Sequence, residues 1–156
     1  MNPDEQTSPL YFEDLEVGRR FTTASETMDR ESIKTFAAAF DPQPFHLDEA
    51  AAETSFFGGL VASGWHTAAI TMRLLVTSGL PIAGGVIGAG GEIVWPRAVK
   101  PGDVLTVTAE VIEARRSKSY PERGMVTVKS ETQNQAGEVV QVMTARLVVP
   151  CRDKSA

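Results

Sequence analysis

The chain has 156 residues, 42% of them hydrophobic and 22% charged, which fits one globular domain burying about two-thirds of its unfolded surface. A net charge of −5 argues against a nucleic-acid partner, and the single cysteine, Cys151, excludes an internal disulfide. No apolar run reaches membrane-spanning length, and the first residues have neither a basic stretch nor an apolar core, so the expected setting is the cytoplasm, with no membrane partner.

In chain order, residues 1–9 read as a loose polar lead. Residues 11–18 lead into a strand over about 20–27. Asp29 is positioned to cap a helix over 30–40, in which Ile33, Phe36, Ala37 and Phe40 repeat at helical spacing. Pro42 and Pro44 then predict an irregular extended turn over 41–45, followed by an alanine-rich turn at 49–52. Trp65, Ala68, Ala69, Met72, Leu75 and Val76 mark a second helix, ending before Gly79, Leu80 and Pro81. It is apolar around most of its circumference, which predicts a buried central helix.

The glycines at 84–91 do not complete a dinucleotide-binding loop, because Ile93 stands where a third glycine is needed. A strand over 86–95, lying against the central helix, is the better reading. Alternating residues at 103–114, a basic turn at 115–118, a β-branched run at 124–134, a hairpin turn at 135–138 and a last run at 139–149 complete a sheet. Residues 151–156 form a polar tail. One long apolar helix followed by antiparallel strands predicts an α+β domain. Long strands with exposed edges predict a homodimer.

Two stretches carry candidate chemistry. Asp41 and His46 are five residues apart across the proline-stiffened turn, which can aim both side chains at one point, with Phe45 wedged beside the histidine. Asp41 follows a helix C-terminus, where the negative dipole end is expected to raise its pKa and make it a better base. Ser63 and Gly64 lie at the start of the central helix, whose free N–H groups suit an anion or oxyanion. Ser63 can also be a simple N-cap, and His66 reads as a packed helix histidine.

These residues resemble the MaoC-like dehydratase family, which includes the (R)-specific enoyl-CoA hydratases. Asp41, Pro44, His46 and Asp48 match its Asp-x-Asn-Pro-x-His-x-Asp turn, with Gln43 in place of Asn. Ala62 and Gly64 match its Ala-His-Gly run, with Ser63 in place of His. Residues 95–103, from Trp95 and Pro96 to Pro101, Gly102 and Asp103, resemble its aromatic, Pro, Pro-Gly-Asp strand entry. The resemblance implies a hot dog fold, a sheet wrapped on one helix, and a homodimer acting in fatty acid metabolism. It implies Asp41, His46 and the Gly64 N–H as catalytic groups for hydrating an enoyl thioester. Ser63, Phe45, Trp65, Arg97 and Lys100 are the expected substrate-binding residues, with the two cations meeting coenzyme A phosphates. No metal and no cofactor beyond the coenzyme A of the substrate is expected.

The alternatives are a hot dog thioesterase and a non-catalytic acyl-CoA-binding module. A thioesterase normally carries its acid on the central helix, and none stands there. A binding module has no need of both Asp41 and His46. A serine hydrolase lacks its first glycine around Ser63, and two histidines with a terminal cysteine make no zinc set.

Overall fold

The computed structural model describes residues 8–152. The expected loose ends fall largely outside these, at 1–7 and 153–156. Five strands form one antiparallel sheet in the order β1-β3-β4-β5-β2. They are β1 (Arg20–Thr27), β2 (Ile87–Val94), β3 (Val104–Arg116), β4 (Arg123–Gln133) and β5 (Val139–Pro150). Among the described residues a short 3-10 turn (Phe12–Asp14) and four α-helices accompany them: α1 (Arg30–Phe40), α2 (Pro44–Leu47), α3 (Glu49–Glu53) and α4 (Gly64–Ser78). The sheet curves around α4, which is the hot dog arrangement.

Alternation drives the sheet onto the helix. In β3, Leu105, Val107, Ala109 and Val111 are fully buried while their neighbours are only partly so. They meet Ile70, Leu74 and Leu75 of α4 and Ile33 of α1 in one core. Removing such side chains from water, at about 25 cal/mol per Å² of apolar surface, is the main drive to this packing.

Three expectations need correction here. The prolines break the helix only at residues 41–43. Pro44 opens α2 at its first turn, where a missing N–H costs nothing, so His46 stands on a helical turn. The alanine-rich segment is also helical, capped by Asp48, which accepts from the N–H groups of Ala50 and Ala51. The basic pair Arg115 and Arg116 belongs to β3, and the chain reverses only after them.

Helix α4 is buried on one face, through His66, Thr67, Ile70, Thr71, Leu74 and Leu75. A second stripe, Trp65, Met72 and Val76, is exposed in the single chain, so the helix is not covered all round. Strand β2 is an edge, and an apolar cavity of about 360 Å³ separates it from Met72 and Leu75 of α4.

Cys151 and Arg152, the first two residues of the polar tail, are held against the domain. The Cys151 N–H donates to Glu122 O at 2.8 Å and its side chain is buried. Arg152 reaches Asp14 Oδ2 at 2.5 Å, and that bond, with the nearby charges, holds its pKa above the ordinary value.

Candidate functional site

Each element brings one piece to a single cavity of about 410 Å³. Helix α1 ends at Asp41, whose N–H still closes on Ala37 O at 2.9 Å. Residues 41–43 turn away from the helix, and α2 then presents His46. The strand-like segment before α4 is pinned beside α2 by two bonds: Val61 N–H to Phe45 O at 3.2 Å, and His46 Nδ1–H to Val61 O at 2.7 Å. Asp41, Gln43, Phe45, His46, Gly64, Trp65, Thr67, Trp95 and Arg97 line the cavity, with Phe57 and residues 98–99 beside them.

His46 is 5% exposed. Since a carbonyl oxygen only accepts, its bond to Val61 places a proton on Nδ1. Nε2 is then the nitrogen free to gain or lose one, and it lies 3.2 Å from Asp41 Oδ2. Asp41 also accepts Ser63 Oγ–H on Oδ2 at 2.7 Å and Gln43 Nε2–H on Oδ1 at 2.6 Å. Burial pushes the Asp41 carboxyl up, but the hydrogen bonds from Ser63 and Gln43, with the charge and hydrogen bond of His46, outweigh it. The result is a pKa below the ordinary value, the reverse of the expected rise. Reading Asp41 as the end of α1 captured only one helix. The folded chain also sets its carboxylate against Ser63, the N-cap of α4, where donors converge and the dipole is positive.

Gly64 is the first residue of α4, so its N–H has no acceptor within the helix. A Cβ at Gly64 would lie 2.7 Å from the Trp95 indole, so the glycine is needed for the close approach of that ring. Phe45 stands edge-on to the His46 ring, centroids 4.6 Å apart, and contributes apolar wall. Trp65 meets Trp95 edge-on at 5.3 Å.

Three expected substrate contacts sit differently. Ser63 is fully buried and does not line the cavity, because its hydroxyl is taken by Asp41 and by the Trp65 N–H at 3.2 Å. Lys100 lines a separate small cavity with Gly58, Gly59 and Pro101. Arg97 is at the main cavity but is paired with Glu138 Oε2 at 3.0 Å. His66 lies outside the site, stacked on Phe36 at 4.6 Å.

Sequence reading missed the support of Trp95. Its Nε1–H donates to Gln141 Oε1 at 2.9 Å, and Gln141 Nε2–H donates to Thr71 Oγ1 at 3.2 Å. Thr71 and Thr132 share a hydroxyl contact of 2.6 Å. Gln141, Thr71 and Thr132 are all completely buried. The available signal was a glutamine inside a valine-rich strand, a residue type that is rarely buried without partners.

A hot dog domain with an acid and a histidine facing one another beside the start of its central helix defines the class. The MaoC like domain matches residues 14–135, and the chain belongs to that family. A crystal structure of a MaoC-like dehydratase from Rhodospirillum rubrum is 60% identical, with a TM-score of 0.90 over 92% of this chain and 99% of that one. The (R)-specific enoyl-CoA hydratase of Rhodospirillum rubrum is 32% identical over 91% of this chain and 93% of its own. An R-hydratase from Pseudomonas aeruginosa, solved without ligand, is 30% identical with a TM-score of 0.75, covering 92% of this chain and 88% of that one.

Proposed function

We propose that the chain is a hydro-lyase that adds water across the 2,3-double bond of an enoyl-CoA, or a related acyl thioester, and removes it in reverse. The observation that carries this reading is the 3.2 Å approach of His46 Nε2 to Asp41 Oδ2 on the wall of a cavity that includes Gly64. The hydratase names of two relatives support the reaction class.

In this reading one water is shared by the pair. Its oxygen bonds to C3 while its proton passes to one member, and the other member delivers a proton to C2. Transfer of a proton across the Asp41–His46 contact restores the starting state. The electron pair leaving the C2–C3 bond runs onto the thioester oxygen, and the Gly64 N–H receives that charge. Phe45 and Trp65 flank the acyl part, and Arg97 meets the nucleotide end of coenzyme A by exchanging Glu138 for phosphate. Coenzyme A enters only as part of the substrate, and the mechanism uses no metal or redox group. We place the enzyme in cytoplasmic fatty acid metabolism, as a homodimer.

The test is a panel of enoyl-CoA thioesters followed at the absorbance of the conjugated thioester. Asp41→Asn and His46→Ala should each lower turnover by about 100-fold or more. The double variant should lose little beyond either, since groups sharing one water act as a unit. A fully active Asp41→Asn protein would end the hydratase reading.

A further inference from the structure

We propose that Ser63 is a positioning residue for the reaction, acting through Asp41: its hydroxyl proton is committed to Asp41 Oδ2 and holds that carboxylate ionised and aimed at His46. This rests on the hydratase reading of the site.

The commitment follows from counting donors and acceptors. A serine hydroxyl has one proton and two lone pairs. Ser63 Oγ accepts the Trp65 N–H at 3.2 Å, which uses a lone pair, and the contact of 2.7 Å to a carboxylate oxygen takes the proton. The side chain is completely buried, so water does not compete for either role. The donor is therefore fixed to the N-terminus of α4, and the carboxylate at the end of α1 is fixed to it. Gln43 donates to the other oxygen from an exposed side chain, where water can replace it. Of the two donors, Ser63 is the one that solvent cannot substitute.

Gln43 precedes α2 and Ser63 precedes α4, and both side chains end on Asp41. The carboxylate is thereby asymmetric. Oδ2 accepts from Ser63 and keeps a second acceptor site towards His46, while Oδ1 takes the exchangeable amide of Gln43. A carboxylate gripped in this way rests ionised and resists rotation, which keeps Oδ2 towards His46 for the proton that crosses between them.

The decisive variant is Ser63→Gly. Glycine is nearly as good an N-cap as serine, so the start of α4 is retained while the proton donor is lost. Expected outcomes are a kcat lower by about 10- to 100-fold with KM within about threefold, and an acid limb of the pH profile moved to higher pH. Ser63→Thr keeps both hydroxyl roles and should keep kcat within about threefold and the wild-type acid limb. A carbon-13 titration of the Asp41 carboxyl, assigned by its loss in Asp41→Asn, should move upward in Ser63→Gly and stay in place in Ser63→Thr. The titration needs no turnover. If the wild-type protein hydrates no enoyl thioester, the hydratase reading fails and the titration still decides the Ser63 link. An unmoved Asp41 titration in Ser63→Gly, or a Ser63→Thr protein as impaired as Ser63→Gly, would overturn the proposal.

Discussion

At the residue scale, the chemistry depends on which polar atoms are satisfied. Asp41 accepts from Ser63 and Gln43 and faces His46, so the ionised form is stabilised on folding. Asparagine at 41 keeps the shape but sets one amide group against donors, so Asp41→Asn should lower the melting temperature as well as activity. Because the folded pKa is depressed, the Asp41 contribution is complete above its unfolded value. It is lost as pH falls through the folded value, below the ordinary carboxylate range. His66 behaves analogously in a higher window. It is 5% exposed, and Nδ1 has no hydrogen-bond partner among the described residues. Burial pulls its pKa below the usual 6.5, against a smaller upward pull from Asp29. The folded state therefore holds the neutral ring, and stability is full above 6.5 and declines as pH falls below it. His66→Phe keeps the stack on Phe36 and removes the titration. Its melting temperature should match or exceed wild type at pH 7 and fall less between pH 7 and 5; a wild-type slope would refute this.

At the element scale, the start of α4 and the end of β2 are fitted to one another. Trp95 lies against Gly64 and is held from behind by Gln141, Thr71 and Thr132, which link β2, β5, α4 and β4. Alanine ordinarily stabilises a helix relative to glycine by roughly 1 kcal/mol. Here the Cβ would meet the indole at 2.7 Å, so Gly64→Ala should destabilise. The loss should shrink in a Trp95→Ala background, as a double-mutant cycle by chemical denaturation would measure. This clash also means that a bulky substitution at Gly64 reports on Trp95 as much as on a ligand. Gln141→Leu leaves the buried end of the Trp95 N–H without its acceptor and Thr71 with Thr132 alone. It should cost about 1–3 kcal/mol and shift the tryptophan fluorescence.

At the scale of the whole molecule, a single chain leaves apolar surface uncovered. Trp65, Met72 and Val76 form an exposed stripe on α4, and Ile87, Val94 and Trp95 are exposed on or beside the free edge strand β2. An unpaired edge beside apolar side chains is the kind of surface that a second copy covers. Light scattering should give about twice 16.8 kDa or a higher multiple, and Met72→Lys with Val76→Lys should shift the population toward monomer. A wild-type monomer at micromolar concentration would refute the dimer. No helix among the described residues is long and apolar enough to cross a membrane.

Local pattern determined much of this protein. Asp29 caps α1, glycine and proline stop α4, and strict alternation sets the inward residues of β3, because each depends on spacing along the chain. The Asp41–His46 pairing was legible for the same reason, since five residues and two prolines bound their separation. The electrostatic state of Asp41 was not. It depends on Ser63, 22 positions further on, and a carboxylate's charge follows its neighbours in space. Likewise, only the folded chain joins Trp95 to Gln141 across 46 positions, parts Lys100 from the cavity and gives Arg97 to Glu138. Periodicity reports which face of an element is buried. Which polar atoms meet inside is decided by sheet register and helix docking, and these depend on the packing of the whole core.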